Sequence, residues 1–366
     1  MHLTFDVAID GIIKKRNPFQ VKSNDFFENT EILKSLFAKL INCNDSQRIA
    51  IIPSVSYGMS TIARNINLQK NQNVVIAGEQ FPSNVYPWQR LVDEKQGFLK
   101  IISPKEELPN LTEIWNQEIL EVIDENTRLV ALSHVHWMYG SKFNLEEISK
   151  KCKKVNAFLV LDLTQSLGAL PFDLNQYPAD AIVCAGYKWL LGPYSIGMAY
   201  YSSSFDEAKP LEDNWINRMN SRDFGNLTNF TDQYKPSANR FCVGESSNFI
   251  LLPMMIEALK LILKLDPSNI QKYCGELINN LTAETESLER LNLTIESSKY
   301  RSNHLLSLKF SEDADIEKVQ KTLISNKVIT SVRGKRIRIS PNVYNDISDI
   351  EALKRVLFTQ LKEISC

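Results

Sequence analysis

The chain has 366 residues, 43% of them hydrophobic, which is enough for a buried core and for more than one domain. Its 42 Lys and Arg residues nearly balance 43 Asp and Glu residues, and a net charge of −1 offers no basic excess for binding nucleic acid. No apolar run reaches the roughly 18–20 residues of a membrane span, so we expect no membrane partner.

The 6 cysteines are scattered along the chain, without a C-x-x-C pair or a zinc-type spacing of Cys and His. We therefore expect no metal site. The N-terminal stretch lacks the apolar region of a secretory signal, which predicts reduced thiols and a cytoplasmic protein.

The first predicted element is an amphipathic helix over residues 26–42, with Leu33, Phe37 and Ile41 on one face. Strands and helices then alternate, with strands at 48–53, 73–77, 98–102, 128–133, 157–162, 181–185 and 196–201, and helices near 58–67, 84–95, 111–123 and 145–155. This alternation predicts an α/β fold whose mostly parallel central sheet is sandwiched by helices.

Residues 205–247 are rich in Asn, Ser, Arg and aromatic residues and show little periodicity, which is typical of a functional loop. Later elements are helices near 249–264, 268–290, 315–325 and 346–363, and strands at 292–297, 304–310, 328–332 and 335–340. We predict a large domain over residues 1–248, which includes an N-terminal helical segment and an interface loop near 205–247, and a smaller α+β domain over residues 249–366.

Two polar residues stand at the ends of buried strands. Asp162 closes the run Phe158–Leu161, and Lys188 follows Ala181–Ala185 between two aromatic residues. In open α/β sheets, ligands bind beyond the carboxyl ends of the strands. Each residue has a plainer interpretation when taken singly, because Asp162 could cap a helix and Lys188 could extend to solvent.

Taken together, the two residues have the chemistry that a pyridoxal cofactor requires. A carboxylate pairs with the pyridine nitrogen, and a desolvated lysine forms a Schiff base and then transfers protons. We interpret Lys188 and Asp162 as catalytic residues, pyridoxal 5'-phosphate as the cofactor, and residues 1–248 as the cofactor-binding domain.

The segment from Asp162 to Gly197, with its Asp, Gln and Tyr-Lys-Trp pattern, resembles the cofactor site of the class V aminotransferase family. These are fold-type I pyridoxal-phosphate enzymes, and they include cysteine desulfurases, kynureninases and isopenicillin N epimerase-like proteins. By this resemblance, Gln165 contacts the 3-oxygen of the cofactor, Ser133 lies near the phosphate side of its ring, and Tyr187 adjoins the lysine.

The resemblance extends to two earlier segments. The segment Ile52–Gly58 is similar to the phosphate-binding turn of the family and assigns cofactor contacts to Val55, Ser56 and Tyr57; a helix cap is the plainer interpretation. The segment Glu79–Asn84 resembles the stretch that stacks an aromatic residue on the pyridine ring, with cofactor contacts from Phe81, Ser83 and Asn84.

Two later segments also match the family. The resemblance implies that Trp215 and the residues from Gly244 to Ser246 complete the phosphate site of a partner subunit, and hence a homodimer with shared active sites. The alternative is simple surface packing. The stretch Val332–Asn342 is similar to the family's carboxylate-binding strand, so Arg338 is the expected ligand of the substrate carboxylate, with Arg333 as a second candidate.

The most favoured function is an aminotransferase acting on a small amino acid or amine. A lyase, an epimerase and a catalytically inactive ligand-binding homologue remain alternatives. Residues 324–338 contain no cysteine, which argues against the persulfide chemistry of cysteine desulfurases. Relatives usually begin with an extra segment before the first helix, whereas this chain begins almost at that helix, so we expect a more open substrate pocket.

Overall fold

The computed structural model describes residues 2–105 and 110–360. Its central sheet has 7 strands in the order β1-β7-β6-β5-β4-β2-β3. The strands are β1 (Ile49–Ile52), β2 (Asn73–Ala77), β3 (Phe98–Ile102), β4 (Thr127–Ser133), β5 (Phe158–Asp162), β6 (Ala181–Ala185) and β7 (Gly197–Tyr201). The strands β2 to β6 run parallel, while β7 is antiparallel to both β6 and β1. The prediction of a mostly parallel sheet is confirmed.

Helices cover both faces of this sheet, because alternate strand residues point to opposite sides. In β4, Val130 and Leu132 join one buried cluster, whereas Leu129 and Ala131 join another. The helices are α1 (His2–Arg16), α2 (Glu28–Leu40), α3 (Val55–Asn65), α4 (Tyr86–Lys95), α5 (Leu111–Val122), α6 (Leu145–Val155) and α7 (Leu251–Leu265). The helices α2, α5, α6 and α7 contribute to the first cluster, and α3 and α4 to the second.

A second sheet of 3 antiparallel strands has the order β8-β10-β9 and its own apolar cluster. Its elements are α8 (Pro267–Thr282), α9 (Thr285–Arg290), β8 (Leu306–Lys309), α10 (Ile316–Ser325), β9 (Ser331–Arg333), β10 (Arg336–Ile339) and α11 (Ile347–Arg355), followed by a π-helical turn at Val356–Gln360. The smaller α+β unit is thus present. Among the described residues, no helix combines the length and apolarity needed to cross a membrane.

Several predicted elements differ from those observed. The helix predicted at 268–290 is two helices, α8 and α9, and the strand predicted at 292–297 pairs at the single position Thr294, opposite Lys309. The helix predicted at 346–363 ends as an α-helix at Arg355, and residues 361–363 lie outside the described residues.

The helix α1 is absent from the sequence-based prediction, which placed the first helix at 26–42. Its apolar residues do not form one buried face, since Phe5, Ile9 and Ile12 are exposed. The helix contacts α7 and packs closely on the backbone just before it: a Cβ at Gly11 would lie 2.2 Å from the Phe249 carbonyl oxygen. A helix held by backbone proximity carries little hydrophobic periodicity, so its pattern was not detectable.

The turn after β5 depends on a glycine. Gly168 has φ = +99°, and a Cβ there would lie 2.3 Å from the carbonyl oxygen of Trp189. We expect Gly168→Ala to lower the free energy of unfolding by about 2–4 kcal/mol, because it adds backbone strain to a steric clash. Chemical denaturation measures the loss. Gly225→Ala is the matched control, since its nearest neighbour would be 3.8 Å away; equal stability of the two variants would contradict the prediction.

Candidate functional site

A cavity of about 280 Å³ lies at the carboxyl ends of β4, β5 and β6, close to where β7 begins. Parallel strands end at the same edge of a sheet, and the register pairs Ser133 of β4 with Asp162 of β5. The lining residues are Pro53, Ser54, Val55, Ser56, Gln80, Phe81, Ser83, Ser133, Trp137, Asp162, Thr164, Gln165, Ala185, Tyr187, Lys188, Tyr194, Ser195 and Ile196.

Asp162 provides the buried carboxylate of this cavity. Only 7% of the residue is exposed, and the backbone N–H of Thr164 donates to its Oδ1 at 2.9 Å. Burial raises the pKa of the Asp162 carboxyl, whereas hydrogen bonds from Thr164 and the charge of Lys188 oppose this rise. A cationic group that enters the cavity would stabilise the ionised form of such a buried carboxylate.

Lys188 lines the same cavity and is partly buried in the loop between β6 and β7. Burial is the largest cause that lowers the pKa of its amine, followed by the charges of Arg338 and Arg333, while Asp162 acts in the opposite direction. A lowered pKa increases the fraction of neutral, nucleophilic amine at neutral pH. The two residues interpreted as catalytic therefore face one space.

The Lys188 environment predicts a pH effect. Because the Arg338 cation disfavours the ammonium form, we expect Arg338→Gln to raise the pKa of Lys188 and to move its pH-dependent acetylation to higher pH. Mass spectrometry of the modified peptides measures the midpoint. Lys150 is an internal reference, since its hydrogen bonds to Glu146 and Glu147 raise its pKa. A Lys188 midpoint unchanged by Arg338→Gln would contradict this account.

Gln165 and Ser133 place neutral polar groups at the cavity. The Trp189 indole N–H donates to Gln165 Oε1 at 3.3 Å, and this orients the amide so that its NH₂ group is the remaining donor. His304 Nε2 lies 2.7 Å from the Gln165 backbone oxygen, which further fixes the residue. Ser133 Oγ is buried and has no hydrogen-bond partner within the described part of the chain. An unpaired buried hydroxyl at a cavity wall suits a polar ligand.

The helix α3 begins at the cavity and presents its N-terminus there. Ser54 is the N-cap and accepts from the Tyr57 backbone N–H at 3.2 Å, while the hydroxyls of Ser54 and Ser56 lie 2.9 Å apart. The positive end of the helix dipole and these donors favour an anion. Val55 and Ser56 line the cavity, whereas Tyr57 does not; it packs beside the second hydrophobic cluster.

Aromatic rings form another part of the wall. Phe81 is 43% exposed, and its ring meets Trp137 edge-on with centroids 5.6 Å apart. Ser83 also lines the cavity, but Asn84 does not. Asn84 is fully buried, and its Oδ1 accepts from the Trp88 indole N–H at 2.9 Å. The side chain of Asn84 therefore supports α4 rather than facing the cavity.

The predicted interface residues lie away from the cavity of this chain. Trp215 packs edge-on against Phe26, with centroids 6.2 Å apart. The Gly244 backbone N–H donates to Glu212 Oε2 at 2.7 Å, and Ser246 is buried nearby. Their contribution to a partner's site stays a prediction.

Arg338 adjoins the cavity without lining it. Its side chain is largely buried, its Nε has no hydrogen-bond partner within the described residues, and its guanidinium carbon lies 5.9 Å from the Trp137 ring centre. Burial, with the neighbouring charge of Arg333, lowers the pKa of Arg338 to about 10. A substrate carboxylate bound to Arg338 would offset the free-energy cost of burying its charge.

Sequence reasoning gave no site role to several lining residues, among them Gln80, Trp137, Thr164, Tyr194 and Ser195. They lie in loops, where no periodicity indicates side-chain direction. Tyr194 stacks on Tyr187 with centroids 4.1 Å apart, which accounts for its place at the site. Position beside a strand end was the one signal for Thr164, which follows Asp162 closely.

A family model described as Aminotransferase class-V matches residues 17–353 of this chain. The chain belongs to the class V aminotransferase family. It is accordingly a pyridoxal-phosphate-dependent enzyme of this class.

Relatives agree with this assignment. An uncharacterized aminotransferase of Bacillus subtilis (strain 168) is 25% identical over 324 residues, which are 87% of this chain and 80% of the relative. A putative cysteine desulfurase of Plasmodium berghei (strain Anka) is 27% identical over 265 residues, which are 69% of this chain and 48% of that protein.

Solved structures share the fold. A cystine C-S lyase in complex with its product, cysteine persulfide, has a TM-score of 0.83 and 16% identity, covering 98% of this chain and 94% of that one. A cysteine desulfurase from Thermococcus onnurineus NA1 has a TM-score of 0.80 and 18% identity, covering 98% and 92%. The α/β architecture of this class V chain is therefore that of known pyridoxal-phosphate enzymes.

Proposed function

We propose that this class V enzyme is an aminotransferase that acts on a small amino acid, with Lys188 and Asp162 as its catalytic residues. One observation carries the proposal: the partly buried amine of Lys188 and the buried carboxylate of Asp162 line one cavity at the strand ends. Its volume of about 280 Å³ is near the lower end of small-molecule sites, which suits a cofactor and a compact substrate.

The residues present fit pyridoxal phosphate. Asp162 would hold the pyridine nitrogen, and the unpaired hydroxyl of Ser133 and the amide of Gln165 would donate to oxygens of the cofactor. Further proposed contacts are Val55 and Ser56 at the phosphate, Phe81 on the ring, and Ser83 and Tyr187 around them. Tyr57 and Asn84, which do not line the cavity, are given no direct contact. When bound, the cofactor supplies an electron sink that stabilises negative charge at the α-carbon of the substrate.

The side chains of this chain would perform the remaining steps. Arg338 would bind the substrate carboxylate, and Lys188 would remove a proton as its neutral amine and return that proton as its ammonium form. Of the residues that the structure describes, Asp162, Tyr187 and Tyr194 are the other titratable ones that line the cavity. Burial raises the pKa of Tyr187, so it is a poor base at neutral pH. A single amine that transfers one proton favours transamination over epimerisation through paired bases.

A C–S lyase is the second candidate. Two observations favour it: the structural similarity to a protein described as a cystine C-S lyase, and the absence of cysteine from residues 324–338. An eliminating enzyme of this kind needs no persulfide-forming cysteine on that segment.

A product assay distinguishes the candidates. The purified protein, loaded with pyridoxal phosphate, is incubated with a panel of amino acids with and without a keto acid acceptor. For an aminotransferase, we expect repeated formation of a keto acid only when the acceptor is present. Without the acceptor, at most one equivalent of keto acid per enzyme site should form. Ammonia and a sulfur fragment released without an acceptor would instead identify the lyase, and isotope exchange at the α-carbon without net product would identify an epimerase.

A homodimer with shared sites is part of this proposal. Trp215, Gly244 and Ser246 lie outside the cavity of their own chain, as residues that serve a partner would. Sedimentation analysis tests the assembly, and mixing Lys188→Ala with Ser246→Asp chains tests site sharing. Recovery of activity in the mixture would support shared sites. Cytoplasmic location stays a prediction.

A further inference from the structure

The hairpin formed by β9 and β10 concentrates positive charge on one face. Its turn uses Gly334 with φ = +53°, and its register places Arg336 opposite Arg333. Directly opposite residues share a face of a sheet, as do alternate residues of one strand. Arg333, Arg336 and Arg338 therefore project to the same side, although like charges in opposite positions destabilise a hairpin.

Two of these guanidinium groups lie over one ring of the active-site wall. The guanidinium carbons of Arg333 and Arg338 are 5.2 Å and 5.9 Å from the Trp137 ring centre, and Trp137 lines the cavity. The Trp137 indole N–H donates to the Glu79 carbonyl oxygen at 2.6 Å, which holds the ring in place. Contact with a ring stabilises a cation without neutralising it.

Among the described residues, no carboxylate forms an ion pair with Arg333 or Arg338. Within the described ranges, the arginines that form ion pairs are Arg48, Arg218, Arg222 and Arg290. Arg338 Nε is buried and has no hydrogen-bond partner in the described part of the chain, and Arg333 Nη1 donates to the Val332 carbonyl oxygen at 2.6 Å. Arg336 differs, because it lies over Tyr139 and its charge acts on the buried carboxylate of Glu296.

We propose that the amino acid substrate carries a second anionic group on its side chain, and that Arg333 binds this group while Arg338 binds the α-carboxylate. This inference rests on the proposed function of the site. One α-carboxylate neutralises one of the two guanidinium groups, and a carboxylate or an oxidised-sulfur anion of the side chain neutralises the other. Arg333 is partly exposed, as a residue that meets the outer end of a substrate would be.

The kinetic test compares anionic amino acids with their neutral isosteres. We expect kcat/KM to be about 10- to 100-fold higher for the anionic member of at least one pair than for its neutral isostere. The pairs are L-glutamate and L-glutamine, L-aspartate and L-asparagine, and L-cysteine sulfinate and L-cysteine. Arg333→Gln should remove this preference, because it lowers kcat/KM far more for the anionic member of each pair than for the neutral one. Lys335→Gln is the matched control, since Lys335 lies in the same hairpin but donates to the Ala314 carbonyl oxygen.

A binding test separates this inference from the proposed function. Calorimetry on the cofactor-loaded enzyme should show glutarate or succinate binding at least about 10-fold more tightly than butyrate, and Arg333→Gln should abolish the difference. If no amino acid yields product, the proposed function fails, but this preference still decides the inference. Equal binding of mono- and dicarboxylates, or an equal effect of Arg333→Gln on both members of each amino acid pair, would overturn it.

Discussion

Lys188→Ala will yield a folded protein without measurable turnover of any amino acid. Loss of proton transfer alone costs about 10²- to 10⁴-fold in rate, and loss of the covalent link to the cofactor adds to this. Lys188 is partly buried and its pKa is lowered, so removing its side chain also removes the desolvation cost of the amine. The substitution leaves the hydrophobic core intact. The measurement is product formation in the amino acid panel, together with the thermal unfolding midpoint.

Borohydride reduction supplies the second readout for Lys188. Treatment of the cofactor-loaded protein should fix the cofactor to the peptide that contains Lys188, and the alanine variant should retain none. Lys150→Ala is the matched control, because Lys150 is an exposed residue paired with Glu146 and Glu147. If borohydride fixed the cofactor to another lysine in the Lys188→Ala protein, the catalytic assignment of Lys188 would be wrong.

Asp162→Asn will lower kcat by roughly 10²- to 4 × 10³-fold, since removing one partner of a buried ion pair costs about 3–5 kcal/mol and 1.4 kcal/mol corresponds to tenfold. The expected partner is the protonated pyridine nitrogen of the cofactor. The amide keeps the shape of the side chain and an oxygen that accepts from the Thr164 N–H. Steady-state rates at saturating substrate measure the loss.

The stability of the Asp162→Asn variant provides the control. Burial raises the pKa of the Asp162 carboxyl, so the cofactor-free protein should lose little or no stability when that group becomes a neutral amide. Full activity with weak cofactor binding, or a collapsed fold, would each contradict a role at the pyridine nitrogen. Asp173→Asn serves as a surface comparison, since Asp173 is partly exposed and lies just before a turn.

The sequence predicted the sheet and the strand-end part of the cavity because both follow from local pattern. Continuous apolar runs identified β5 and β6, and parallel strands bring their ends together, so Asp162 and Lys188 could be placed at one edge. The register pairs Ser133 with Asp162, whereas the sequence assigned Ser133 to the site by its resemblance to a family position. These inferences needed no knowledge of side-chain direction.

The remaining wall depends on contacts that a linear pattern does not carry. Trp137 reaches the cavity because its indole N–H is held by the carbonyl oxygen of Glu79, 58 residues earlier in the chain. Asn84 fails to reach it because Trp88 binds its side chain. Neither hydrogen bond can be predicted from residue type or spacing. The helix α1 gave no periodic signal because it is held by close backbone contact rather than by a buried apolar face.

The reversed direction of β7 has a consequence for how Lys188 moves. Both ends of the loop that carries it are anchored at the same sheet edge, where the Gly186 N–H donates to the Ile196 carbonyl oxygen at 3.0 Å and the Gly192 N–H donates to the Gly186 carbonyl oxygen at 2.9 Å. The base of this loop can open only if β6 and β7 separate. Amide hydrogen exchange at Gly186 should therefore be as slow as in the sheet itself. Reach toward different substrate atoms then comes from rotation about side-chain bonds, on a nanosecond scale, while the peptide backbone stays fixed.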